Sequence, residues 1–245
     1  MKKKHLLLLL VVLLLALAIP ASATQYNPPW AHNYGSLFDD GSDFRASAQS
    51  ATNIQQSIFY NSFYMPNYGV HIAKSNMQDD AIFFVNTHGV VSSGTTGGAI
   101  WFYNGTMSIL SAENKGWLHY YPECFLSDYT TELKDVLLAV YLSCWSGQTN
   151  PYFGNLVDIS KTKGVDNVIG FSGSINITPA AYWSDRFWYR CLYGMLGNHQ
   201  YIKHAASGAV MDVGMQYQDF GGLDTIYAKY RYPNEYLDPA RYGVL

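Results

Sequence analysis

Apolar and polar positions along the chain follow two rhythms. From Asp43 to about Tyr60, Phe44, Ala48, Ala51, Ile54 and Ile58 recur every three to four positions. That spacing predicts one face of a helix, with Asp43 placed to cap it. Three other runs, Ala81–Val85, Val136–Leu142 and Val168–Phe171, are short and continuously apolar. They are too short for helices and predict strands buried on both faces. Between the first two, a Gly-rich stretch at 94–98 leads into "AIWFYNGTMSIL", where Asn104-Gly105 between β-favouring runs predicts a hairpin.

The remaining segments follow from turn and cap signals. Residues 24–42 are turn-rich with a short strand around Tyr34–Phe38, and Met65-Pro66-Asn67-Tyr68-Gly69 reads as a turn. A short helix is expected near 128–134. Asn150-Pro151 has the form of a cap followed by a first-turn proline, predicting a helix to about Lys163 that Gly164 ends. Residues 179–196 and 199–213 read as two further helices, and the tail "TIYAKYRY" alternates loosely, as an edge strand does. Strands separated by helices imply an α/β fold: a mainly parallel central sheet, helices on both faces, and the hairpin as a decoration. With no internal repeat or low-complexity linker, residues 24–245 read as one domain.

The leader changes what the composition means. A basic start (Lys2, Lys3, Lys4), an apolar stretch from Leu6 to Ile19 and a small-residue ending through Ala23 make 1–23 a signal peptide. The apolar stretch is shorter than the roughly 20 residues that span a membrane. The protein is thus expected to be secreted, with no membrane attachment after cleavage. Removing the leader's three lysines takes Lys+Arg from 15 to 12 against 18 Asp+Glu, a net of −6. Nucleic acid is therefore not an expected partner. Charged residues make up only 13% of the chain while tyrosine contributes 21 positions, so the surface leans on neutral polar groups.

Two of the predicted strands end in reactive side chains. "AIFFVNTHGV" ends in His88-Gly89 and "LLAVYLSCWSG" in Cys144-Trp145-Ser146-Gly147. In open parallel sheets, catalytic groups gather at the carboxyl ends of the strands. If the two strands are neighbours, their ends lie about 4.8 Å apart. A thiol becomes a good nucleophile on losing its proton, and an imidazole can take that proton and pass it to a leaving amine. The N–H groups of Gly89 and Cys144 could receive an oxyanion, one such donor being worth roughly 3 kcal/mol in the transition state. Ser146 and Gly147, being small, are expected to leave room for a peptide.

These two motifs resemble the signature of clan CD cysteine peptidases, the caspase, metacaspase, legumain, gingipain and clostripain group. That signature is an apolar strand ending in His-Gly, then another ending in a small residue plus Cys, seen here as "IFFVNTHG" and "LLAVYLSC". In the caspase pattern the histidine precedes the cysteine by about 50 residues; here the separation from 88 to 144 is 56. "VDNVIGFSGSI" is similar to the next core strand of these proteins. The resemblance covers roughly residues 43–213. It implies a three-layer caspase-like sandwich, His88 as acid/base, Cys144 as nucleophile, and an oxyanion hole from the N–H groups of Gly89 and Cys144. It also places Leu142, two before the cysteine, in the primary specificity pocket, and makes Ser172 and Ser174 candidates to line the cleft. An apolar Leu142 where the family often has Gln or Glu implies a neutral substrate residue. Ser143 replaces the usual alanine.

The function expected is a secreted cysteine endopeptidase acting on a peptide or protein substrate. A non-catalytic extracellular or cell-surface binding protein on the same fold, or a thiol transpeptidase, fits the same residues. Cys124 and Cys191 could pair, leaving Cys144 free; three unpaired thiols fit equally. His32, His71, His119, His199 and His204 lack metal-ligand spacing and read as surface or capping residues. Asp39, Asp40, Asp43, Asp79 and Asp80 could feed a calcium site, but solvated turns explain them, and no cofactor or metal is expected. Asn104-Gly105-Thr106 and Asn176-Ile177-Thr178 fit a glycosylation pattern. Trp183, Trp188, Tyr189 and Tyr193 at helical spacing read as packing residues.

Overall fold

A computed structural model describes residues 29–57, 60–92, 95–114, 121–130, 132–193, 200–232 and 234–237. The expected leader at 1–23, His119, His199 and the residues at 194–196 lie outside them. Among the described residues, ten strands and five α-helices run in the order β1 (Trp30–Gly35), α1 (Arg45–Gln56), β2 (Asn61–Pro66), α2 (Val70–Met77), β3 (Asp80–Asn86), β4 (Gly89–Ser92), β5 (Thr95–Tyr103), β6 (Met107–Ser111), β7 (Glu123–Phe125), β8 (Leu138–Leu142), α3 (Leu156–Thr162), β9 (Asn167–Phe171), α4 (Ile177–Leu192), α5 (Ile202–Gln216) and β10 (Ile226–Tyr230). The central sheet has the order β10-β9-β8-β3-β1-β2, parallel throughout except for the antiparallel edge strand β10.

The three expected buried strands are β3, β8 and β9, and every residue of each is buried. Pleating explains the continuous apolar runs. Ile82, Phe84, Leu138, Val140 and Leu142 point to one face, where α1, α4 and α5 cover them. Phe83, Val85, Ala139, Tyr141 and Val168 point to the other, against α2, α3 and strands of the second sheet. The molecule is therefore a three-layer α/β sandwich with helices on both faces. The hairpin forms as expected, with Gly105 at φ 92° and the Asn104 side chain accepting from the Thr106 N–H. It belongs to a four-stranded sheet, β4-β5-β6-β7.

Several sequence expectations need correction. The first strand lies earlier, at Trp30–Gly35, and 36–43 is a turn closed by the Leu37–Asp43 bridge. Asp43 accepts from the Arg45 N–H, but Phe44 stands at the cap position. Neither β2 nor α2 was legible in the turn-rich stretch around 65–69. Near 128–134 there are two 3-10 turns instead of a helix. Asn150 does not cap α3. It closes a tight turn with Gly154, its side chain accepting from the N–H groups of Tyr152 and Phe153. Gly154, at φ 76°, then breaks the path, and Asn155 caps the helix through Val157 and Asp158. An asparagine makes the same bonds in a free turn as at a helix start, so local pattern could not separate the two.

The cysteines are all free. Cys191 belongs to the core under α4 and α5, and Cys124 to the core on the opposite side of the sheet, so no Cys124–Cys191 bridge forms. His32 is also corrected: it is buried, with Nδ1 2.5 Å from Asp80 Oδ1. Trp183 and Trp188 are core residues, whereas Tyr189 and Tyr193 are exposed.

Candidate active site

β3 and β8 are neighbours in register, their last paired residues being Asn86 and Leu142. The ladder continues one rung further, with the Thr87 N–H donating to the Leu142 carbonyl at 3.2 Å. His88 and Cys144 each stand two residues past the final pair, so they emerge side by side at the carboxyl end of the sheet. Both line a cleft of about 420 Å³ together with Phe44, Asn86 and residues 175–180.

The second sheet braces both loops. β4 starts at Gly89, directly after the histidine; the Trp101 N–H donates to the His88 carbonyl and the Thr87 hydroxyl to the Trp101 carbonyl. On the cysteine side, the Thr96 hydroxyl donates to the Gln148 side chain at 2.9 Å, and Gly97 packs against Trp145 and Gln148. A Cβ at Gly89 would come within 1.9 Å of the Cys144 carbonyl oxygen. Glycine is thus demanded by the approach of the two loops.

The cysteine loop is tightly held. Trp145 sits at φ 55°, a left-handed conformation a large side chain seldom adopts, and its N–H donates to the Gly173 carbonyl. Ser146 is fully buried: its hydroxyl donates to the Tyr141 and Ser143 carbonyls and accepts from the Phe171 N–H. Gly147 packs on Gly170, Phe171 and Tyr227. These two small residues anchor the loop to β9, which corrects the expectation that they leave room for a peptide. Among the described residues, no backbone hydrogen bond outside the regular elements claims the Cys144 N–H.

Cys144 Sγ is half-buried and accepts from the Ile175 N–H at 3.3 Å; Ser174 Oγ lies 3.8 Å away. The His88 ring is held edge-on between Phe38 and Phe44, each at 4.8 Å between centroids. Its Nε2 is buried and faces Asp40 Oδ2 at 3.3 Å, within ion-pair range but out of hydrogen-bond alignment. The Asp40 carboxyl is held below the usual carboxylate range, first by the Ser42 backbone N–H and in smaller part by this imidazole.

The other expected site residues divide. Ser174 stands beside the sulfur, at 3.8 Å, but is not on the cleft lining. Ser172 is exposed and likewise off the cleft lining, its N–H pairing with Thr225. Leu142 is fully buried in the core under α4 and is not on the cleft lining, so its side chain packs the core. Residue-level reading did not find Phe38, Asp40, Phe44, Asn86 or the first turn of α4, which converge only through the fold. The aspartates are dispersed: Asp39 accepts from Tyr103, Asp43 pairs with Arg45, and Asp80 with His32. Among the described residues no group of three or more His, Cys, Asp or Glu side chains is placed to hold a metal.

No protein-family model matches the chain, and no curated protein is similar to it in sequence. Solved structures do match it in fold. The fold is gingipain-like. The Arg-specific cysteine proteinase gingipain R superposes with a TM-score of 0.56 at 12% identity, over 85% of this chain and 48% of that one. A complex of Porphyromonas gingivalis RgpB pro- and mature domains gives 0.54 at 12% identity, over 90% and 51%. The chain spans about half the length of each, and at this identity the likeness establishes the architecture alone.

Proposed function

We propose that this protein is a secreted cysteine endopeptidase that hydrolyses peptide bonds through His88 and Cys144. The observation that carries this reading is the register of β3 against β8, which brings a histidine and a cysteine 56 residues apart in sequence onto one cleft. The gingipain-like fold is consistent with peptidase chemistry, and the leader sequence with export.

In the proposed reaction Cys144 Sγ attacks the substrate carbonyl carbon while His88 takes the thiol proton. The Ile175 N–H directed at Sγ stabilises negative charge as it develops there. The N–H groups of Gly89 and Cys144 receive the oxyanion. Collapse of the tetrahedral intermediate breaks the C–N bond, and His88 delivers the proton to the departing amine. Water, deprotonated by His88, then hydrolyses the Cys144 thioester and restores the thiol.

The test is alkylation of the purified mature protein with a cysteine-directed peptidyl electrophile at neutral pH, mapped by mass spectrometry. Cys124 and Cys191 serve as internal controls, since burial pushes both thiols up. Cys144 should label selectively, and the rate should drop at least about tenfold in His88→Ala. If Cys144 labels no faster than the other two, or ignores the loss of His88, the reading fails. Adding an amine acceptor during turnover separates hydrolysis from transpeptidation.

A further inference from the structure

Among the described residues, the only side chains lining the cleft that can carry a charge are the reacting pair itself, His88 and Cys144. Its walls are formed by Phe44, Ile175, Ile177 and Pro179, and its polar members, Asn86 and Thr178 among them, are neutral. The acidic groups beside Phe44 and His88 are otherwise engaged: Asp43 makes two hydrogen bonds to the Arg45 guanidinium, and Asp40 faces His88. A guanidinium, ammonium or carboxylate entering this space would lose water without gaining a counter-charge.

Two local features bear on charge, and neither supplies a full counter-charge. The N-terminus of α4 meets the cleft and would attract an anion weakly. However, Pro179 has no N–H, the Ala180 N–H is taken by the Asn176 carbonyl, and the Ile175 N–H is directed at Cys144. Asn86 is almost fully buried on the cleft lining. The Ser47 hydroxyl donates to the Phe44 carbonyl, so Ser47 must accept from Asn86 Nδ2. That fixes the amide and leaves Oδ1 as the unpartnered atom. A lone neutral acceptor disfavours a carboxylate and cannot neutralise a cation.

We propose that the cleft selects an uncharged, apolar side chain on the residue whose carbonyl Cys144 attacks, with Thr178 as the position that sets this charge preference. This rests on the peptidase reading. Thr178 is exposed on the first turn of α4 and lines the cleft. An aspartate there is well tolerated by a helix start, so a charge can be introduced without burying it in the core.

The experiment compares kcat/KM for peptides that differ only at that residue, with Cys144→Ala as control. Leucine and methionine peptides should exceed arginine, lysine, aspartate and glutamate peptides by on the order of 100-fold. Thr178→Asp should narrow the gap for arginine and lysine by at least about tenfold, and Thr178→Lys should do so for the acids. Alkylation of the unsubstituted protein by leucine- and lysine-bearing electrophiles should give the same ranking, independent of how the variants fold. Cys144-dependent cleavage that favours a charged residue overturns this specificity while leaving the peptidase reading standing. Failure of every peptide and every electrophile to engage Cys144 overturns both.

Discussion

Gly89 lies so close to Cys144 that a single added carbon would overlap the cysteine's carbonyl oxygen at 1.9 Å and approach its Cβ at 3.3 Å. The contact is backbone against backbone, at the point where the ends of β3 and β8 turn away from the sheet. Neither loop can yield by rotating a side chain. The expected result of Gly89→Ala is a loss of about 1–3 kcal/mol in stability together with at least a tenfold fall in Cys144 alkylation. Urea unfolding and labelling kinetics on one preparation would check both. An unchanged labelling rate would mean that the approach of the loops does not matter to the thiol.

Asp40 is the only carboxylate facing the His88 imidazole among the ion pairs of the described residues. Phe38 and Phe44 fix the ring's tilt, and Asp40 faces its Nε2 edge at 3.3 Å. Asp40→Asn should slow Cys144 alkylation by roughly tenfold, and Asp40→Glu should recover part of it. Asp39→Asn, which alters only the bond from Tyr103, should leave the rate near that of the unsubstituted protein. Equal effects at both positions would point to loop stability as the cause.

Asn155 does two jobs with one side chain. Its Oδ1 caps α3, and its Nδ2 donates to the Gly147 carbonyl at 2.9 Å, tying the cysteine loop to the helix start. Asn155→Ala should cost about 1–2 kcal/mol and slow labelling. Asn155→Asp keeps the cap but loses the donor, so it should restore most of the stability and little of the labelling rate. By contrast, Asn150→Ala should leave α3 itself intact, as amide exchange across Val157–Thr162 would report.

Asp80 lies at the start of β3, buried to within 1% exposure, and burial raises its carboxyl to about 7 despite the opposing hydrogen bond with His32. Its value in the unfolded chain is about 3.9. Between those two pH values the folded chain holds a proton that the unfolded chain has released. The group's contribution is therefore complete below about pH 4 and is lost as pH rises through about 7. Urea midpoints measured from pH 5 to pH 8 should fall for the unsubstituted protein relative to Asp80→Asn. Parallel curves would show that the carboxyl titrates at an ordinary value.

Much of this molecule was written into its sequence. Uninterrupted apolar runs at 81–85, 136–142 and 168–171 can be satisfied only by strands covered on both faces, and they became β3, β8 and β9. The chemistry at two strand ends, His88-Gly89 and Cys144, was legible because parallel sheets gather such ends. What local pattern could not decide was anything that depends on a partner distant in the chain. Whether Asn150 or Asn155 caps a helix turns on Gly154. Whether Leu142 lines a pocket or fills a core turns on which side of β8 the helix α4 packs. That Ser146 and Gly147 are anchors, that Asp40 meets His88, and that the described cleft lining holds no ionisable side chain besides His88 and Cys144 all follow from loops meeting in space. Hydrophobic periodicity encodes how each segment is buried, whereas the identity of its neighbours is decided by tertiary packing.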